Sequence, residues 1–119
     1  MAQIALIDYG AGNLRSVHNA LTAAGAENVC VTADPDVVAK ADRIVLPGVG
    51  AFASCMNGLT AIDGLVEAMT ARVLNDGAPF LGICVGMQLL ADVGEEYGEH
   101  AGLGWIKGRV TPFIPNADL

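Results

Sequence analysis

The sequence predicts an α/β domain with a mostly parallel sheet and helices on both faces. Three observations carry this. Short apolar runs alternate with segments whose apolar residues recur at helical spacing, in the order β-α-β-α-β-α-β-α. The runs are apolar at successive positions, as in strands covered on both sides. The chain has 119 residues, enough for one core, and a chain of this size buries roughly 65% of its unfolded surface.

Residues 3–9 read as the first strand, which stops at Gly10. Gly10-Ala11-Gly12-Asn13 is a turn with Asn13 as N-cap, because its side chain can accept from a free amide of the next turn. Leu14, Val17, Leu21 and Ala24 follow at helical spacing, and Gly25 stops that helix. Residues 28–32 form a second strand, and Asp34-Pro35 opens a short helix with proline in its first turn. Residues 43–46 form a third strand, ended by Pro47-Gly48-Val49-Gly50. Leu59, Ile62, Leu65, Val66, Met69 and Val73 trace one face of a longer helix, which ends at Asn75-Asp76-Gly77. Residues 80–84 are a fourth strand, residues 85–91 a helix, and residues 105–113 one or two further strands. The acidic run with Glu95, Glu96 and Glu99 reads as a solvated loop. No repeat, low-complexity segment or linker interrupts the chain. Its last residues, from Pro115, follow a strand where a sheet of this kind normally continues.

Composition excludes several functions. Six Lys+Arg against 13 Asp+Glu give a net charge of -7. Such a chain offers no footprint for nucleic acid or for an anionic membrane surface. The apolar fraction is 53% against 16% charged, too apolar for disorder. Mean hydropathy is +0.48, yet the most apolar stretch, residues 80–90, is too short to span a bilayer and contains Gln88. Gln3 and Asp8 stand where a signal peptide needs basic and then apolar residues. A cytoplasmic protein is expected. Cys30, Cys55 and Cys84 are odd in number and far apart, so neither a disulfide framework nor a zinc site is expected. His18 and His100 lack metal-ligand spacing to another His or Cys, and no metal or cofactor is expected.

Ligands of open α/β sheets bind beyond the carboxyl ends of the strands. Three unusual segments fall there: residues 8–13, Pro47 to Gly50, and Cys84 to Gly86. Gly82-Ile83-Cys84-Val85-Gly86 is a G-x-C-x-G between a strand and a helix, a nucleophile elbow with Cys in place of Ser. A helix starting there points its dipole at the sulfur, which favours thiolate. The Val85 amide is free to face an oxyanion. Pro47-Gly48-Val49-Gly50 can supply a second donor, since two glycines let the backbone approach a ligand closely. Cys30 and Cys55 read as buried packing residues. Gly10-Ala11-Gly12-Asn13-Leu14-Arg15 partly matches a dinucleotide fingerprint, but Arg15 stands where the third glycine belongs. Asp34 and Asp36, near the place of a ribose-binding acid, look like helix-starting residues. Gln88, one turn after Cys84, either reaches over the site or caps a polar spot.

Three blocks carry a wider resemblance. Residues 8–17 (DYGAGNLRSV), 46–52 (LPGVGAF) and 82–90 (GICVGMQLL) resemble the class I glutamine amidotransferases. Within them the first two blocks are most similar to the glutaminase branch of histidine biosynthesis, the subunit of imidazole glycerol phosphate synthase, and the likeness runs through the whole chain. The resemblance implies that Cys84 attacks the carboxamide of glutamine and forms a thioester while ammonia leaves. It implies an oxyanion hole from the Val85 amide and an amide among Gly48, Val49 and Gly50, after a peptide flip driven by the partner. It implies that Gln88 binds glutamine, that Asn13 lies toward a barrel-shaped cyclase subunit, and that no cofactor is needed. Ammonia would enter that cyclase and yield imidazole glycerol phosphate and an aminoimidazole carboxamide ribotide.

One departure stands out. The family's nucleophile works with a His followed two residues later by Glu. His18 is followed by Asn19-Ala20 and His100 by Ala101-Gly102, so the pair is missing. Residues 1–119 are accordingly expected to be the N-terminal portion of a single amidotransferase domain, inactive alone. The runner-up expectations are a non-catalytic module that only binds the cyclase, and a flavodoxin-like nucleotide-binding module.

Overall fold

A computed structural model describes residues 2–113. The main sheet contains β1 (Ile4–Ile7), β2 (Val29–Thr32), β3 (Arg43–Leu46) and β4 (Phe80–Gly82), all parallel, in the order β2-β1-β3-β4. Helix α1 (Leu14–Ala23) links β1 to β2, and α2 (Pro35–Lys40) links β2 to β3. From β1 the chain moves outward to one side, and from β3 outward to the other. The strand order therefore reverses between β1 and β3, and the crevice at their carboxyl ends is the switch point where such sheets place ligands.

The two faces of the sheet separate by register. Ala5 and Ile7 stand beside Ile44 and Leu46, and these join Val38, Leu59, Leu65 and Met69 in one buried cluster. Each such aliphatic side chain contributes roughly 1.5–3 kcal/mol when buried. Leu6 and Val45, one residue out of phase, are buried outside that cluster, on the opposite face. Right-handed crossovers put α1 on that second face and α2 on the first.

The long helix expected from Leu59 to Val73 is broken in two. α3 spans Phe52–Thr60 and α4 spans Leu65–Thr70, the latter continuing as a π-helical turn, Ala71–Asn75. Gly64, with φ at 80°, turns the chain between them, and Leu59, Leu65 and Met69 still meet the same core. Arg72 Nε donates to the Ala41 carbonyl at 2.6 Å and ties the π turn to the end of α2.

A second difference follows β4. Helix α5 (Val85–Gln88) is a single turn, not a helix to residue 91, and the chain enters β5 (Ala91–Gly94) at once. With β6 (His100–Ala101) and β7 (Ile106–Val110) it forms a small sheet, order β6-β5-β7. β6 runs antiparallel and β7 parallel to β5. Glycine permits this packing. A methyl group on Gly94 would lie 2.5 Å from Phe52 Cγ, so the small sheet closes directly on the buried Phe52 ring. Trp105 packs edge-on against Phe80, ring centroids 5.0 Å apart. The expectation for residues 105–113 resolves to the one strand β7. The segment from Pro115 lies outside the described residues.

Among the described residues β4 is an edge strand. Val31, Leu6, Val45 and Leu81 form one row across the second face. Its inner pair is buried, while Leu81 is 51% exposed. An unpaired edge beside an apolar side chain is a template for pairing with another chain. A polypeptide of these 119 residues is expected to self-associate, and Leu81→Glu to shift it toward monomer. Sedimentation velocity checks this, and an unchanged distribution would place the contact elsewhere.

Candidate active site

Three main-chain segments converge at the switch point because glycine lets them touch. A methyl group on Gly86 would fall far inside contact distance of the Leu46 carbonyl oxygen. One on Gly48 would lie 2.5 Å from the Gly86 nitrogen, and one on Gly82 would lie 2.7 Å from Met87 Cα. The turn after β3 and the turn after β4 are thus interlocked backbone to backbone. The turn after β1 joins them: the Tyr9 hydroxyl donates to the Pro47 carbonyl at 2.5 Å. A methyl group on Gly12 would lie 2.9 Å from Pro47 Cβ.

Cys84 sits where β4 ends and α5 begins, with φ 55° and ψ -124°. A non-glycine residue at positive φ costs about 1–3 kcal/mol and persists only where its surroundings impose it. Here the surroundings are the close main-chain contacts at the flanking Gly82 and Gly86. The side chain is exposed. This is the elbow expected from G-x-C-x-G. With α5 only four residues long, little macrodipole reaches the sulfur, contrary to expectation.

The Val85 amide is not free. It donates to the Gly48 carbonyl at 3.3 Å, because a residue without a side chain lets that oxygen reach the elbow. The Gly48–Val49 peptide thus points its oxygen at the turn that carries Cys84, with its N–H on the opposite side. Val49 is exposed, and its own carbonyl accepts from Cys55 Sγ at 3.4 Å. Gly50 follows with φ 103°.

Gln88 is half-buried, and its main-chain N–H donates to the Cys84 carbonyl at 3.3 Å. With Phe52, Glu95 and Glu96 it lines a cavity of about 180 Å³ whose lining does not include Cys84. Asn13 caps α1 as expected, its Oδ1 accepting from the Ser16 amide at 3.2 Å. It lines an open cleft of about 480 Å³ with Gly10, Gly12 and Val49. The structure therefore brings Cys84, Val85 and Gly48 together, sets Asn13 and Val49 side by side, and gives Gln88 a cavity of its own. The dinucleotide reading is not favoured: Gly12 packs on Pro47, and Asp34 caps α2 through the Asp36 amide at 2.9 Å.

The acidic run is not merely solvated. Glu96 accepts from the Phe52 amide at 3.0 Å, at the start of α3. Arg109 pairs with Glu95 at 2.8 Å and with Glu99, which holds its guanidinium above the ordinary range. His100 lies in β6, not in a loop, with Nε2 3.1 Å from the Tyr97 carbonyl. Among the described residues no cluster of three His, Cys, Asp or Glu could hold a metal. No described helix is long and apolar enough to cross a membrane. Sequence reasoning missed Tyr9 and the bond made by Cys55. Only a fold places a phenol and a thiol from distant segments on one loop.

Residues 5–108 match the model of the family described as glutamine amidotransferase class-I. The chain belongs to the class I glutamine amidotransferase family. Members of this family named imidazole glycerol phosphate synthase subunit HisH are its relatives. The one from Zymomonas mobilis is 70% identical over 95% of this chain and 54% of its own length. That from Rhodospirillum rubrum is 58% identical over 95% and 55%. That from Caulobacter vibrioides is 56% identical over 98% and 56%. The chain thus spans about half the length of the curated relatives it matches.

Proposed function

We propose that residues 1–119 are the N-terminal, nucleophile-bearing portion of a single amidotransferase domain, the glutaminase subunit that serves imidazole glycerol phosphate synthesis in histidine biosynthesis. The observation that carries the reading is Cys84, held exposed at positive φ on a glycine-locked elbow whose next residues, Val85 and Gly86, touch the Pro47–Gly50 turn. The high identity to the HisH subunits supports the pathway.

Cys84 Sγ attacks the carboxamide carbon of glutamine. The C–N bond breaks, ammonia leaves, and a thioester remains. Water then releases glutamate and restores the thiol. The oxyanion of each tetrahedral step is held by the Val85 amide and a donor from Gly48, Val49 or Gly50. The Val85 donor becomes available only when the Gly48 carbonyl turns away, and that rotation brings the Val49 N–H round to the same side. Gln88 contributes to binding glutamine. Asn13, beside Val49 on the open cleft, faces the cyclase subunit, which receives the ammonia within a cytosolic heterodimer. No cofactor takes part.

The leaving ammonia needs a proton, and these 119 residues contain no His-x-Glu to deliver it. The expected result is therefore split. A glutamine-like chloroketone should label Cys84, but not Cys30 or Cys55, and glutamine should protect. The same polypeptide mixed with the cyclase should release no glutamate above a Cys84→Ala control. Labelling without protection would refute a glutamine site. Turnover that survives in wild type and vanishes in the control would show another group acting as the acid. A second reading, a module that only binds the cyclase, predicts cyclase binding with no glutamine-protected labelling.

A further inference from the structure

Two buried polar side chains near the elbow have no part in the chemistry above. Tyr9 is 6% exposed and Cys55 1% exposed. Both spend their hydrogens on the same short loop. The Tyr9 hydroxyl donates to the Pro47 carbonyl, and Cys55 Sγ donates to the Val49 carbonyl. The carbonyl between them, that of Gly48, is held instead by the Val85 amide. Three consecutive carbonyls thus have three different keepers. The outer two are fixed by side chains rooted in β1's turn and in α3. The middle one is held by the elbow itself.

We propose that Tyr9 and Cys55 are positioning residues that confine rotation of the loop to the single Gly48–Val49 peptide. The inference deepens the glutaminase reading and rests on it. A chain of three peptides that must turn one of them has many ways to do so. Pinning both flanking carbonyls leaves a crankshaft motion of the peptide plane about the axis from Gly48 Cα to Val49 Cα, through Gly48 ψ and Val49 φ, which exchanges the Gly48 oxygen for the Val49 N–H. Pro47 adds to this, since its ring fixes φ. Burial first, and then the Cys55 thiol beside the hydroxyl, push the Tyr9 phenol well above its ordinary value, so the hydroxyl keeps the proton it donates. The Cys55 thiol is the weaker donor of the two.

The test uses the full-length enzyme with its cyclase. Tyr9→Phe keeps the ring and removes the donor. Its kcat for glutamine hydrolysis should fall about tenfold, with KM changed less than twofold. Cys55→Ala should cost about threefold in kcat, and Cys55→Ser, which restores a donor, should recover most of it. Backbone 15N relaxation dispersion supplies a readout independent of turnover. Wild type should show millisecond exchange at Val49 alone within the loop. Tyr9→Phe should add Gly48, whose amide belongs to the Pro47 peptide, and Cys55→Ala should add Gly50, whose amide belongs to the Val49 peptide. Exchange at all three amides in wild type, or a pattern that neither variant alters, would overturn the proposal. If wild type hydrolyses no glutamine the functional reading fails, and the dispersion pattern still decides the positioning role.

Discussion

Replacing Gly86 by alanine is expected to lose the elbow altogether. The new methyl group would overlap the Leu46 carbonyl oxygen and lie 3.0 Å from the Pro47 carbonyl carbon. Neither neighbour is the flexible end of a side chain. Leu46 is fully buried, and its carbonyl also accepts from the Ile83 amide at 2.9 Å. Relief therefore requires β3 and β4 to part at their carboxyl ends, breaking that bond and the Val85–Gly48 contact together. Overpacking costs about 1–3 kcal/mol, and a clash between main-chain atoms that no side chain can relieve belongs at or above the top of that range. Folded domains have only about 5–15 kcal/mol in total. Denaturant titration should show the midpoint falling accordingly, and Cys84 should lose any preference over Cys30 in alkylation. A variant as stable as the parent would mean that the two turns are not in contact. Gly77→Ala, where a methyl group meets no atom but φ is 76°, gives the cost of backbone strain without overlap for comparison.

Replacing Cys84 by alanine should have the opposite signature, with activity lost and fold kept. The side chain is exposed, so its removal should shift stability by no more than about 0.5 kcal/mol. In an assembled enzyme that turns over glutamine, the nucleophile cannot be bypassed, and loss of a covalent nucleophile typically costs roughly 10⁴-fold or more. At 1.36 kcal/mol per tenfold, that loss is about 5.4 kcal/mol of transition-state stabilisation. Steady-state glutamate release, with the melting curve of the same sample, separates the two effects. Residual turnover within tenfold of wild type would remove Cys84 from the mechanism.

The positions of the three turns were legible in the sequence because glycine, proline and an apolar run are strong local signals. The strands β1 to β4 follow from continuous apolar stretches, and the caps Asn13 and Asp34 follow from side chains that reach only neighbouring amides. The break at Gly64 was hidden because the apolar spacing on either side continues in phase. The small sheet was hidden for a different reason. Ala91-Asp92-Val93-Gly94 has no strand composition of its own, and it pairs because Gly94 can lie on the ring of Phe52, 42 positions earlier. The occupied Val85 amide was also invisible, since nothing in G-x-C-x-G tells where a carbonyl from another loop points. The same holds for Tyr9 and Cys55, whose partners are main-chain atoms.

Trp105 gives this architecture an optical consequence. It is the sole tryptophan of the chain, and its ring meets Phe80, the first residue of the strand that leads to Cys84. Its emission therefore reports how firmly the small sheet is seated on β4. A red shift and loss of intensity would mark undocking, with no label introduced. Binding that tightens or loosens the elbow's supporting strand can then be followed in real time in an unlabelled polypeptide of these 119 residues.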